Sequence, residues 1–266
     1  MKVLFSLLIS IILLTSCKQN PITGRSQLSL FPESVLQQQS VSQYRTFLSQ
    51  NRVVPKEVSR DAEMVKRVGG RIAQVVTDYY NKKGLSKELQ GYNWEFNLID
   101  NKEVNAWCMP GGKVVVYTGL LTVTQNEAAL AVVLGHEITH ALAHHGNERM
   151  SQAALAQGLQ VAGDIFTRNK EKANTIFNSV FAPTAQLAVL LPNSRKNEYE
   201  ADRFGIMFSA MAGYNPKEAI PFWQRMSRAG GAKPPEFLAT HPSDANRIAQ
   251  LEKHMDEALS LYKPVK

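Results

Sequence analysis

Cysteine is scarce in this chain of 266 residues: only Cys17 and Cys108 are present. Two are too few for a disulfide framework, and a secreted protein with one disulfide would keep both cysteines inside its fold, whereas Cys17 closes an N-terminal export-like segment. Long apolar runs are also missing. The run from Val3 to Leu14 is about a dozen residues, short of the ~20 that cross a hydrocarbon core, which argues against a permanent transmembrane span. Nucleic-acid motifs are absent too. The net charge is +7 and the pI near 9.4, but Lys and Arg are scattered, so the charge reads as a solvated surface and no nucleic-acid partner is expected. A weak pull toward anionic membrane surfaces remains, roughly 1 kcal/mol per nearby cation. No internal repeat is visible, and the 44% hydrophobic content suffices for one large core.

The segment Lys2, Val3 to Leu14, Thr15, Ser16 is an export signal. Leu14-Thr15-Ser16-Cys17 resembles a bacterial lipobox, in which the Cys thiol is acylated and becomes the mature N-terminus; the alternative is an ordinary secretory signal that carries a Cys. On the lipid interpretation residues 1–16 are a leader, and Cys17 anchors the protein to an envelope membrane facing the periplasm. Lys18 gives no clear retention signal, so the outer membrane is the expected address. Residues 17–40, rich in Gln and Ser with Pro21, Gly24 and Pro32, read as a tether. Residues 41–266 are then the folded domain.

Within that domain, apolar residues at Met64, Val65, Val68, Ile72, Val75, Val76 and Tyr79 mark one face of a helix from Arg60 to Asn81. Trp94 to Ile99 and Lys113 to Thr118 read as neighbouring strands, the second entered through Pro110-Gly111-Gly112. Thr124 with Glu127 forms a capping-box pattern for a helix running to about His145 and stopping near Gly146. Met150 to about Phe181 is a further helical stretch. Asn193 or Ser194 can cap a helix to Ala212 ending at Gly213, and the tail adds helices broken at Gly230-Gly231 and Pro234-Pro235. The expectation is a single, mainly helical α+β domain with a small sheet beside the Thr124–His145 helix.

That helix carries His136-Glu137-Ile138-Thr139-His140. Four residues turn ~400°, so the two imidazoles project from one face about a turn apart and can share one tetrahedral zinc. Glu137 is angled beside such a metal, placed to take a proton from water. The apolar flank Leu130 to Leu134 buries the motif, and buried His and Glu need partners. A catalytic zinc wants a third protein ligand. His144 and His145 lie too far along the helix to close on the same ion. Glu198 is the better candidate, because Glu198 and Asp202 share a helical face at i, i+4: one can ligate while the other holds a ligand histidine from behind. The competing account is that acidic residues in a first turn merely complement the helix dipole; Glu200, pointing elsewhere, is the one best left to it.

These residues resemble the zinc metallopeptidases of the CAAX prenyl protease type, peptidase family M forty-eight, including bacterial envelope members and the mitochondrial Oma-type peptidases. The resemblance spans roughly Asp61 to Leu251. It rests on Asn105-Ala106, Pro110-Gly111-Gly112-Lys113, Tyr117 to Leu121, His136-Glu137-x-x-His140, His145-Gly146, Ser194-Arg195, Glu198-Tyr199-Glu200-Ala201-Asp202, and Thr240-His241-Pro242-Ser243 with Arg247. It implies a zincin-like domain with one zinc ion, Glu198 as third ligand and Asp202 behind a ligand. It also implies that His241 and Arg247 face the centre, with His241 stabilising an oxyanion or filling the zinc's open position at rest. Val114 to Val116 would form an edge strand pairing with extended substrate, and Asn105 would touch that substrate; an ordinary core strand is the alternative for the valines. The chain lacks the prenyl proteases' multiple transmembrane helices, which argues against a prenylated substrate.

The expected activity is zinc-dependent hydrolysis of peptide bonds in misfolded or membrane-associated envelope proteins, with Glu137 as the catalytic base and envelope assembly factors as further partners. The alternatives are a zinc-containing, chaperone-like binding lipoprotein with suppressed peptidase activity, and a zinc hydrolase of non-peptide substrates. Residues 182–192, bounded by Pro183 and Pro192, are a candidate lid.

Overall fold

The structure, a computed structural model, describes residues 17–156, 177, 180–181, 194–229, 235–241 and 245–264. The leader, most of the Met150–Phe181 stretch, the 182–192 segment and Pro242-Ser243 lie outside these residues.

Helix α2 (Arg60–Lys82), which follows α1 (Glu33–Gln50), begins where the Ser59 hydroxyl accepts the Ala62 N–H, with Asp61 and Glu63 in its first turn. Its apolar stripe (Val65, Val68, Ile72, Val76, Tyr80) is buried. Three strands lie beside it: β3 (Glu95–Ile99), β4 (Ala106–Met109) and β5 (Lys113–Tyr117). Strand β5 is central, parallel to β3 with Phe96 opposite Val114, and antiparallel to β4 with Trp107 opposite Val115. The edge-strand expectation for Val114 to Val116 is therefore corrected. All five residues of β5 are buried, as expected of a continuous β-branched run covered on both faces, and the strand left at the edge beside the site is β4. The β4–β5 turn needs Gly111 and Gly112, both at positive φ (82° and 81°); a Cβ on Gly112 would lie 2.5 Å from the Trp94 ring.

The helix carrying the histidine motif, α4 (Glu127–Leu142), is buried from Ala129 to Leu142, apolar nearly all round and central to the core. Its start differs from the Thr124 capping box. Thr118–Thr124 is a separate helix, α3, closed by left-handed Gln125 (φ 63°), and the true cap is Asn126, which accepts the Ala129 N–H at 2.8 Å. Its end is also earlier than expected: α4 stops at Leu142, left-handed His144 (φ 54°) turns the chain, and α5 (His145–Ala156) begins.

That end is covered by residues 17–40, whose composition suggests a tether. They form a hairpin of β1 (Cys17–Gln19) and β2 (Ser26–Leu28), followed by the first turns of α1. The buried side chains of Asn20 and Gln27 donate to the Leu142 and Ala143 carbonyls (3.2 and 2.8 Å), supplying partners that a helix end otherwise lacks. Helix α6 (Arg195–Met211), capped by Ser194, packs on α4 and on α9 (Ala245–Leu261). Between them come α7 (Ala219–Ala229) and α8 (Glu236–Thr240).

Candidate metal centre

Helices α4 and α6 meet backbone to backbone at two glycines. A Cβ on Gly135 would lie 2.5 Å from the Gly205 carbonyl oxygen, and one on Gly205 would lie 2.8 Å from the His136 nitrogen. Ser209 crosses the same contact, its hydroxyl donating to the Ala131 carbonyl at 2.8 Å. This close approach brings the Glu198–Asp202 face of α6 against the His136–His140 face of α4.

There, ligand-type atoms of His136, His140, Glu198 and His241 lie within 4.8 Å of one another, and all four residues are buried. His140 Nε2 is 3.0 Å from His136 Nε2, and Glu198 places Oε1 3.4 Å from the His140 nitrogen and Oε2 3.5 Å from the His136 nitrogen. Asp202 Oδ1 is 2.9 Å from His136 Nδ1. A carboxylate can only accept, so Nδ1 carries a proton, and in the neutral, ligating form of the ring Nε2 is the nitrogen with the lone pair. Lone-pair nitrogens and a carboxylate facing one another in a dry site repel unless a cation lies among them. Neighbouring ligands on a tetrahedral zinc with bonds of ~2.0–2.1 Å stand roughly 3.3 Å apart. The donor set and its spacing fit such an ion.

Behind the donors is a layer of charge. Arg247, 1% exposed, grips Asp202 through two nitrogens (2.8 and 2.7 Å), reaches Glu198 Oε2 at 2.8 Å and lies 3.7 Å over the Trp223 ring. Burial alone would push the Glu198 and Asp202 carboxyls up. The charge of His241 and Arg247 on the first, and of Arg247 on the second, outweighs it, aided by histidine hydrogen bonds, and holds both below the usual carboxylate range. Burial drives His140 well below the ordinary imidazole value, so it is neutral and able to ligate.

Two residues in this layer escape sequence reasoning. His145, although off the donor cluster, sits behind His140 with Nδ1 2.8 Å from His140 Nδ1, and its Nε2 is 2.9 Å from Glu200 Oε2. Glu200 is thus a partner of the site and not simply a complement to the helix dipole. Both residues stand in motifs that carry the family resemblance, but neither those motifs nor the i, i+5 spacing of His140 and His145 conveys this contact unless the helix is known to break between the two histidines.

His241, at the end of α8, places Nδ1 3.2 Å from His136 Nε2 and 3.1 Å from Glu198 Oε1, while Nε2 is 3.4 Å from Glu137 Oε1. Burial works against its charge, but Glu198 and Glu137 raise it above the ordinary imidazole value. Glu137 is itself pushed up, chiefly by burial, and among the described residues its Oε1 has no hydrogen-bond partner.

Residues 66–255 match the sequence profile of Peptidase family M48. The chain belongs to that family. It is 34% identical to the mitochondrial metalloendopeptidase OMA1 of Arabidopsis thaliana over 203 residues, 72% of this chain and 40% of that protein. It is 30% identical to the mitochondrial metalloendopeptidase OMA1 of Bos taurus over 278 residues, 97% of this chain and 49% of the relative. The Beta-barrel assembly-enhancing protease of Yersinia pestis is 34% identical over 174 residues, covering 60% of this chain and 36% of the relative. The chain spans about half or less of the length of these relatives.

For an M48 peptidase the surroundings of the centre are informative. A cleft runs past Glu137, His140 and His241 and is walled by Asn105, Trp107 and Met109. Asn105 is buried at the start of β4, and Trp107 and Met109 belong to β4 itself. No helix among the described residues is long and apolar enough to cross a membrane. Cys17 is exposed at the start of β1.

Proposed function

We propose that this M48 chain is a zinc endopeptidase of the bacterial envelope, attached to its membrane through an acyl group on Cys17. The observation that carries the reading is the convergence of His136, His140 and Glu198 on one point, with Glu137 beside it and an accessible strand edge across the cleft. His136, His140 and Glu198 would hold the ion, and Asp202 and Arg247 would orient the donors. Zinc bound there supplies a Lewis acid that polarises a carbonyl and makes water more acidic. An extended peptide lies along β4, with Asn105 at its edge. Glu137, whose raised pKa suits it both to accept and to release a proton, takes the proton of the attacking water and returns it to the leaving amine. His241 Nε2, on the Glu137 side of the cleft, donates to the developing oxyanion.

The leader-like residues 1–16 and the relatives named as beta-barrel assembly-enhancing proteases support an envelope setting with misfolded or membrane-associated envelope proteins as substrates. Incubating the full chain with a reduced, unfolded protein tests this: cleavage that a chelator stops and added zinc restores is the expected result.

A second reading has one specific observation behind it, the placement of His241 Nδ1 among the donor atoms. With His241 as fourth donor the centre is closed, and the chain binds unfolded clients without cutting them. Binding without chelator-sensitive cleavage in the same experiment selects this alternative.

A further inference from the structure

Behind each histidine of the α4 pair runs a line of polar partners that ends in a carboxylate held by an arginine. Behind His136 stand Asp202 and Arg247. Behind His140 the chain is longer: His145, then Glu200, then Arg25 on the N-terminal hairpin, outside the 66–255 segment that matches the family profile. We propose that Arg25 is a positioning residue of the metal centre, acting through Glu200 and His145 on the ring of His140. This rests on the reading of His136, His140 and Glu198 as ligands.

Proton bookkeeping gives the second brace a direction. The Glu200 carboxylate can only accept, so His145 Nε2 carries a proton and donates it at 2.9 Å. Neutral His145 then offers a lone pair at Nδ1, which accepts from His140 Nδ1–H at 2.8 Å. That leaves the His140 Nε2 lone pair aimed at His136 Nε2 and Glu198 Oε1. The brace works only if Glu200 stays behind His145. Glu200 is 18% exposed and is held there by Arg25 through Nε (2.6 Å) and Nη2 (3.2 Å).

Arg25 is fixed in turn by a two-pronged contact with Glu148 (2.6 and 2.8 Å) and by Asn197 Oδ1 at 3.0 Å. Only a guanidinium spans two carboxylates with separate nitrogens; an ammonium at the same point cannot. The hairpin bearing Arg25 also caps α4 through Asn20 and Gln27. One element therefore caps the end of the motif helix and locks the histidine nearest that end. A salt bridge serving stability alone would have no such link to the metal-facing nitrogen.

The experiment uses the full chain with Arg25→Ala, His145→Phe and the double variant, each shown folded by circular dichroism. Zinc affinity is read by competition with a chromogenic chelator, and ligand geometry by the visible bands of the cobalt(II)-loaded protein. Arg25→Ala should bind zinc about 10- to 100-fold more weakly, the range for partners that orient metal ligands, with shifted cobalt bands. The double variant should bind no more weakly than His145→Phe. Wild-type affinity and spectrum in Arg25→Ala, or losses that multiply in the double variant, overturn the proposal. Should Arg25→Ala not fold, Arg25→Lys replaces it: an intermediate affinity supports the proposal and wild-type affinity overturns it. His136→Ala, run in parallel, separates the two levels. Zinc retained there overturns the ligand assignment itself, whereas zinc lost there but unchanged in Arg25→Ala overturns only the role of Arg25.

Discussion

Replacing Gly135 with Ala adds one methyl group where α4 and α6 touch. That methyl carbon would lie 2.5 Å from the Gly205 carbonyl oxygen and 2.8 Å from the Ser209 hydroxyl. An ordinary contact begins at 3.4 Å, so the helices must separate by about 0.9 Å; the obstacle is backbone and cannot swing aside. Overpacking of this kind costs typically about 1–3 kcal/mol, a fraction of the roughly 5–15 kcal/mol that holds a domain folded. The fold should survive. The metal centre should not, because metal–ligand distances tolerate about ±0.2 Å, and a shift near 0.9 Å carries Glu198 on α6 away from His136 and His140 on α4. Urea unfolding and zinc competition on the same preparation read the two effects separately. Gly70→Ala is the control: Gly70 is exposed within α2 with nothing within 4 Å of an added Cβ, and it should gain about 0.5–1 kcal/mol with zinc affinity unchanged. Gly135→Ala with wild-type zinc affinity would refute the claim that this glycine contact sets the ligand geometry.

Two further outcomes follow from the charge layer. Arg247→Met strands the buried carboxylates of Asp202 and Glu198 and should lower unfolding free energy in the metal-free protein by about 3–5 kcal/mol in urea titrations, with zinc restoring part of it by neutralising Glu198. Glu127, 40% exposed, is bonded to Arg67 at 2.7 Å through both oxygens, and that bond lowers its pKa. A depressed carboxyl stabilises the fold above its unfolded pKa of ~4.3, and the contribution is lost as pH falls through the folded value. Glu127→Gln should therefore cost up to about 1 kcal/mol at pH 7, being a solvent-screened pair, and nothing once both proteins are studied below the carboxylate range.

Much of the scaffold was legible because it follows from periodicity and caps. The apolar stripe of α2, the Ser194 cap of α6 and the i, i+4 spacing that puts Glu198 and Asp202 on one face are local signals. What escaped depends on contacts distant in sequence. A stretch of Gln and Ser looks like a tether, yet Asn20 and Gln27 are buried because α4 presents carbonyls that need donors. The break after Leu142 has no glycine to mark it and is made by a left-handed histidine. The family resemblance suggested an edge for Val114 to Val116, although a run of β-branched residues is itself the mark of a strand covered on both faces. His145 and Glu200 gain meaning only once α5 and α6 bring them behind His140.

The central claim, peptide hydrolysis at a zinc held by His136, His140 and Glu198 with Glu137 moving the proton, is tested most directly by Glu137→Gln. Zinc content and cleavage of an unfolded protein are measured on the same purified sample. The prediction is one zinc per chain, as in the wild type, with cleavage abolished. Cleavage at the wild-type rate by the zinc-loaded variant would contradict it.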